Sequence, residues 1–448
     1  MSLFGTTGIR GDAKKFLTNQ FCFDIGRVFA RFLDNHNLKG AVAVGMDSRE
    51  SSERIKKSFF AGLRQEGRKI FDEGITPVPA INYILIADDS FAGSAMITGS
   101  HIRGDYNGIK FFAFEKEILK EHEKEIDNIY SKIKGEIVFK EQAISAKKEN
   151  RATDVYKKML FDLADRPYKK RKVILDFSNG CQSQVMPGIF EEFGFEVIEK
   201  NNSLDPAKFI ARDTEVEEEF KELQEDVKRE KADLAISFDG DGDRVVFVDE
   251  KGNFVSGDYL GSLISKYGDT SIVITPINTS QVADHLGKPV IRTRVGSSQV
   301  VSKMEEKGAN FGFEANGGGI FKDVMLSRDA GSTVIKILNL LKRNNKSLSE
   351  IISTLPQFFR FRTKIDCPSE LNSNILDKAK QEFRAIKIEE IDGLKIWKDE
   401  STWILFRPSS NAPEFRVFAE AKTKEEAEKL GKEGIDCVKK IVESGGNQ

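Results

Sequence analysis

No hydrophobic run in this sequence approaches the roughly 18 residues that cross a bilayer. The opening segment, MSLFGTTGIRG, lacks the basic region and apolar core of a secretory leader. A soluble, cytoplasmic protein with no membrane partner is therefore expected. Cysteine is scarce: Cys22, Cys181, Cys367 and Cys437 lie far apart with no CxxC spacing, so neither a disulfide framework nor a zinc site is indicated. With 11 prolines and 36 glycines the composition is far from collagen, mucin or disordered chains. Charge of one sign is also lacking. The 69 basic and 71 acidic residues leave a net charge of −2, so the whole chain has no field to gather nucleic acid, and any phosphate recognition must be local.

What is present is a globular chain of 448 residues, 39% hydrophobic, with enough length for several cores. Lys/Glu-rich stretches such as 213–231 read as solvated helix faces. Short apolar runs ending in Gly, Asp or Pro alternate with longer amphipathic segments, which is the pattern of βαβ construction. The runs AVAVGMD (41–47), KVILDFSNG (172–180), DLAISFDGDGD (233–243) and SIVITP (271–276) predict strands whose ends present loop residues to a ligand. Boundaries are expected near 148, 248 and 353. This gives α/β units over 1–148, 149–248 and 249–353, then an α+β domain over 354–448. In the last of these, FRFRTKIDC, GLKIWKD, STWILFRP and EFRVFAEA predict antiparallel strands, and residues 370–386 and 424–444 predict helices.

Four loops carry chemistry. DGDGDR places Asp239, Asp241 and Asp243 at alternating positions around two glycines, followed by Arg244, after an apolar strand. Carboxylates packed this closely repel one another unless a hard cation such as magnesium neutralises them. An EF-hand is excluded, because its sixth position requires Gly where Arg244 stands, and a strand follows. In TGSHIRGDYNGIK, Ser100 sits between Gly99 and His101 with Lys110 downstream. A hydroxyl near a cation and a lysine can accept and donate a phosphoryl group. In NFGFEANGGGIF, Glu314 and Asn316 suit the vicinal hydroxyls of a sugar, although the same spacing serves a flexible hairpin loop. In RPSSNAPEFR, Arg407 with serine hydroxyls and turn amides is a plausible phosphate nest, and a plain β-turn is the competing reading.

Taken in order, these loops closely resemble the α-D-phosphohexomutase superfamily, which includes phosphoglucomutases, phosphomannomutases and phosphoglucosamine mutases. FGTTGIRG is similar to the family opening FGTxGIRG, TGSHIRGDYNGIK to its TASHNPxxxNGxK loop, and DGDGDR to its metal loop. The Glu314 loop is similar to GEENGG, and residues 407–413 to RPSGTEP. The resemblance spans essentially the whole chain. It implies three similar mixed α/β domains and an α+β fourth domain around a central cleft. It implies an intramolecular phosphotransferase that interconverts hexose 6-phosphate and hexose 1-phosphate, of mannose or glucose, through a phosphoserine and a hexose 1,6-bisphosphate.

By the same resemblance Ser100 is the phosphoserine, and Mg2+ is held by Ser100, Asp239, Asp241 and Asp243. Arg10, His101, Lys110 and Arg244 lie at the reacting centre. Glu314, Asn316, Gly296 and Ser297 address the sugar, while Arg407, Ser409, Ser410, Asn411 and Arg416 bind its phosphate. The partners implied are small phosphosugars, with the protein a monomer or homodimer. The sequence departs from the family at Gly99, Ile102 and Arg103 in the serine loop, at Phe313, Ala315 and Gly318 in the sugar loop, and at Ser410, Asn411 and Ala412 in the phosphate loop. A phosphoglucosamine mutase and a catalytically impaired sugar-phosphate-binding relative are the alternatives; a simple phosphatase would leave the sugar and phosphate loops surplus.

Overall fold

The computed structural model describes residues 3–5, 8–141, 146–409 and 413–445. All four apolar runs form strands: Ala41–Met46, Lys172–Asp176, Leu234–Phe238 and Val273–Pro276. Each is buried along nearly its full length, as strands covered by helices on both faces are.

The described residues form four sheets, in agreement with the expected architecture of three mixed α/β units and a fourth, antiparallel one. In the first, Ala41–Met46 lies parallel to Ile70–Ile75 and to Phe91–Ile97. Tyr106–Ala113 then returns antiparallel, and Ile9–Asp12 closes that edge. In the second, Lys172–Asp176 lies parallel to Glu196–Lys200 and Leu234–Phe238, with Val245–Asp249 antiparallel beyond. In the third, Val273–Pro276 runs parallel to Val290–Thr293 and Phe311–Phe313, followed by the antiparallel Gly319–Phe321 and Met325–Asp329. The antiparallel margins follow from loop length. A parallel crossover needs roughly a dozen residues or more, and the connection from Asp239 to Arg244 allows only a hairpin.

The fourth sheet runs Phe359–Asp366, Glu414–Ala421, Trp403–Pro408, Leu394–Trp397, Lys387–Glu389, antiparallel throughout. The helix expected over 370–386 is confined to Asn372–Glu382. Beyond it the chain commits to the sheet, since Ile386 N donates to Trp397 O (2.8 Å). The charged stretch 213–231 is only partly a solvated helix face. Its helix is Lys221–Glu230, while Asp213 and Glu215 lie 3.3 and 3.5 Å from Arg362 of the fourth sheet.

One apolar cluster runs through the first three units, taking in Met96, Tyr156, Phe177, Phe238, Leu260 and Phe313. The fourth unit has its own core around Ile396, Phe406 and Val417. It meets the third through a small cluster of Ile277, Trp403, Leu405 and Phe418. Apolar packing therefore ties the fourth unit to the rest less extensively than it ties the first three together. Among the described residues no helix is long and apolar enough to cross a membrane.

Candidate active site

The hairpin loop after Leu234–Phe238 folds the three aspartates inward, and all are buried. One oxygen from each lies within 4.8 Å of the others. Asp239 Oδ1 accepts from the backbone of Gly242 and Arg244 (3.1 and 3.2 Å), which fixes the loop. Asp241 Oδ1 and Asp243 Oδ1 are buried with no hydrogen-bond partner among the described residues. Unpaired buried anionic oxygens cost several kcal/mol unless compensated. This donor set, all carboxylate oxygen with two positions open, fits a hard divalent cation. Without one, burial and then Asp241 and Asp243 push the Asp239 carboxyl well above the usual range. Burial acts the same way on Asp243, but Arg328, Lys110 and Arg244 outweigh it and hold that group well below the usual range.

The first unit brings its serine to this loop. Ser100 Oγ donates to Asp239 Oδ2 (3.0 Å). Ser100 is buried, with the loop of Asp239 packed against it. Ser100 adopts φ 56, the left-handed region that non-glycine residues seldom occupy. That geometry is held from both sides: Ser100 N donates to Thr98 Oγ1 (2.7 Å), and Ser100 O accepts from Arg49 (2.5 Å). His101 Nδ1 stands 3.5 Å from Ser100 Oγ, and burial, with Arg244 and Arg10 nearby, pulls the imidazole well below its ordinary range. Lys110 bridges Asp241 Oδ2 and Asp243 Oδ2 at 2.8 and 2.9 Å. Burial disfavours its charge, but the two aspartates prevail and raise its pKa. Arg10 Nε and Nη2 and Arg244 Nε are buried with no hydrogen-bond partner among the described residues. Burial, then Arg244, brings Arg10 down to about 10. Arg244 Nε lies 3.7 Å from Asp239 Oδ2 and from Asp243 Oδ1, so cationic donors and carboxylate oxygens that lack hydrogen bonds sit side by side, an arrangement suited to an anion and a cation together.

In the third unit, Glu314 and Asn316 occupy a buried hairpin loop. Glu314 Oε1 accepts from Gly296 N (3.2 Å) and Oε2 from Arg328 Nη1 (2.9 Å). Asn316 Oδ1 accepts from Gly318 N (3.3 Å). Gly296, at φ 130, caps the helix Ser297–Lys307, and Ser297 Oγ donates to Glu117 Oε2 (2.6 Å) of the first unit. In the fourth unit Arg407 is buried and its Nε donates to Asp392 (2.7 Å). Arg416 pairs across the sheet with Arg407 and donates to Glu414 Oε1 (Nη2, 2.7 Å). Ser409 N donates to Glu414 O (2.9 Å). Ser410 and Asn411 lie outside the described residues.

The family description "phosphoglucomutase/phosphomannomutase, alpha/beta/alpha domain I" matches residues 1–136, its domain II residues 153–252 and its domain III residues 256–359. This chain belongs to the phosphoglucomutase/phosphomannomutase family. A phosphoglucomutase/phosphomannomutase of Thermococcus kodakarensis is 34% identical, over 98% of this chain and 99% of the relative. A probable phosphoglucosamine mutase of Methanopyrus kandleri is 30% identical, over 98% of each. The crystal structure of a phosphoglucomutase/phosphomannomutase family protein from Burkholderia thailandensis superposes with a TM-score of 0.81 at 22% identity, over 98% and 97% of the two chains.

In this family member the structure also assembles residues that sequence reasoning did not single out. Arg328 bridges Glu314 and Asp243 (2.9 and 2.8 Å), joining the sugar loop to the metal loop. Burial disfavours its charge, but Asp243 and Glu314, with other carboxylates nearby, outweigh it and raise its pKa well above the ordinary value. Arg49 pairs with Asp47 (2.9 Å) and also donates to Arg103 O and Tyr106 O (2.6 and 3.1 Å). Its guanidinium lies 4.1 Å over the Phe209 ring of the second unit. A lone arginine in MDSRES or MLSRDAG carries no spacing signal. Only the tertiary fold names its partners.

Proposed function

We propose that this chain is a phosphohexomutase that interconverts hexose 6-phosphate and hexose 1-phosphate, of mannose or glucose, through a phosphoserine at Ser100 and a hexose 1,6-bisphosphate. The observation that carries the reading is the contact of Ser100 Oγ with Asp239 (3.0 Å) inside a buried carboxylate triad bridged by Lys110. Asp239, Asp241, Asp243 and Ser100 are the residues that would hold magnesium, which supplies charge neutralisation at a transferring phosphoryl group. The free hydroxyl of the bound sugar phosphate attacks the phosphoryl group on Ser100, the bond from phosphorus to Ser100 Oγ breaks, and the hydroxyl proton ends on Ser100 Oγ as the bisphosphate forms. The bisphosphate then turns over and returns its other phosphoryl group to Ser100. Lys110, kept as an ammonium by Asp241 and Asp243, acts as an electrostatic clamp near the transferred group. Arg10 and Arg244 offer buried donors to the same charge. Glu314 orients sugar hydroxyls, and Arg407 grips the phosphate that is not reacting.

A second reading, a phosphoglucosamine mutase, is favoured by the Methanopyrus kandleri relative. Both are tested by supplying glucose, mannose and glucosamine 6-phosphates with magnesium and measuring 1-phosphate formation. Intact mass would report a phosphate on the parent protein and its absence in Ser100→Ala. Loss of less than tenfold in turnover by Ser100→Ala would remove the nucleophile assignment. An unphosphorylated parent that binds all three sugars and converts none would instead be a sugar-phosphate-binding relative.

A further inference from the structure

The turn between the edge strand Lys387–Glu389 and Leu394–Trp397 carries Asp392. Its Oδ2 accepts from Arg407 Nε (2.7 Å) and from Val295 N (3.1 Å). A single carboxylate thus joins the buried arginine of the fourth unit to the loop of the third that leads into Gly296. The neighbouring residue reinforces the junction: Ile391 O accepts from Arg294 Nε (3.3 Å), and the Ile391 side chain packs on the cluster of Ile277, Trp403, Leu405 and Phe418. Gly393, at φ 93, presses the turn onto the strand that bears Arg407. A Cβ there would stand 2.2 Å from Phe406 O and 3.0 Å from Arg407 Cα.

From Val295 the polar contacts continue inward. Gly296 N donates to Glu314, Glu314 accepts from Arg328, and Arg328 reaches Asp243 of the metal loop. Arg407 stands at the outer end of this run and the metal loop at the inner end, with Asp392 as the joint between domains.

We propose that Asp392 is a positioning residue: it fixes Arg407 for the non-reacting phosphate and couples that grip to the sugar loop, so that both close together on the substrate. The proposal rests on the mutase reading and deepens it. A guanidinium already held at Nε by a carboxylate loses less freedom when it meets a phosphate, because its planar fork is pointed before the ligand arrives. The bond from Val295 N to the same oxygen makes the two loops one unit. A bisphosphate that turns over within the cleft must be gripped again in the same register, and a loosened joint lets it escape.

The test compares steady-state kinetics of the full-length parent, Asp392→Ala, Asp392→Asn, Arg407→Ala and the Asp392→Ala/Arg407→Ala double variant, with glucose and mannose phosphates. Released hexose 1,6-bisphosphate is counted per turnover. Asp392→Ala is expected to raise KM roughly tenfold for both the 1-phosphate and the 6-phosphate, with a smaller fall in kcat and several-fold more bisphosphate released. Asp392→Asn, which keeps the shape and one acceptor, is expected to fall between. The double variant should have a KM no higher than Arg407→Ala alone, since the effect of Asp392 passes through Arg407. Parental KM and bisphosphate release in an active Asp392 variant, or independent additive effects in the double variant, would overturn the inference alone. If Asp392→Ala does not fold, Asp392→Asn and its double with Arg407→Ala read the same coupling. A parent inactive on every hexose phosphate overturns the mutase reading and this inference with it.

Discussion

Arg49 shows how the backbone around Ser100 is held by a residue from another segment. It is fully buried, pairs with Asp47, and donates to three backbone carbonyls of the serine loop, that of Ser100 among them. Lysine in its place keeps the charge but cannot satisfy so many acceptors from one planar fork. We expect Arg49→Lys to lower kcat by roughly 10- to 100-fold with little change in KM, because Ser100 is misplaced while the sugar contacts remain. Arg49→Ala removes the cation beside buried Asp47, which keeps Ser52 Oγ, Thr98 Oγ1 and Gly99 N as donors, and should cost about 1–3 kcal/mol by urea unfolding. An Arg49→Lys enzyme with parental kcat would refute the positioning role. At the metal loop, Asp241→Asn removes one charge while keeping volume. Magnesium affinity measured by calorimetry should drop by at least about tenfold, since one of the two unpartnered buried oxygens belongs to this residue. Unchanged affinity would show that the cation is not held there. The clustering of the aspartates was legible because they stand in adjacent positions of one loop, and Ser100 stood out by the motif around it. Arg49, Arg328 and Asp392 were not, because the partners that tie them to the site (Ser100 O, Asp243 and Val295 N respectively) lie in distant segments.

At the scale of elements, the four apolar runs predicted strands that the structure contains, since length and flanking Gly, Asp or Pro suffice to mark them. The helix over 370–386 was overestimated at its C-terminal end, where Ile386 leaves the helical register to pair with Trp397. The run Gly317–Gly318–Gly319 is compatible in sequence with a flexible hairpin. In the structure it is a close-packed one. A Cβ on Gly317 would lie 1.7 Å from Val245 O, and one on Gly318 would lie 2.7 Å from Asp243 O. The glycines let the Glu314 loop touch the backbone around Asp243 and Val245, which is how Arg328, on the neighbouring strand, comes within reach of Asp243. Gly317 also has φ 93, so an L side chain there adds strain to the clash. Gly317→Ala should therefore destabilise the protein by roughly 2–4 kcal/mol and raise KM more than it lowers kcat. Parental stability in denaturant together with parental KM would mean that the two loops do not depend on this contact.

Across the whole molecule, the first three units share one core and the fourth is joined to the third by a small one. The sequence sets the fourth unit apart by its change to antiparallel strands after 353, but not the sharing of one core by the first three, because that core draws residues from Ala41 to Phe358. Lys395 is buried at the joint. Its Nζ donates to Ile277 O (3.2 Å) and lies 3.8 Å over the Trp403 ring. Burial, then Arg292, brings its pKa down to about 7, against the pull of Glu420, Glu389 and Asp284. A lysine lowered in the folded state has released its proton above pH 7, while the unfolded chain keeps one until about pH 10. Over that interval the unfolded state binds more protons, so this residue makes stability rise with pH, by at most about 1.4 kcal/mol per unit. Below pH 7 both states are protonated and its contribution is flat. Lys395→Met keeps the apolar stem against Trp403 and removes the titration, so the variant should lack this part of the rise. The measurement is urea unfolding of both proteins at pH 7, 8 and 9, taking the difference between them so that other titrating groups cancel. Parallel stability curves for the two proteins across that range would show that Lys395 does not change its protonation on folding.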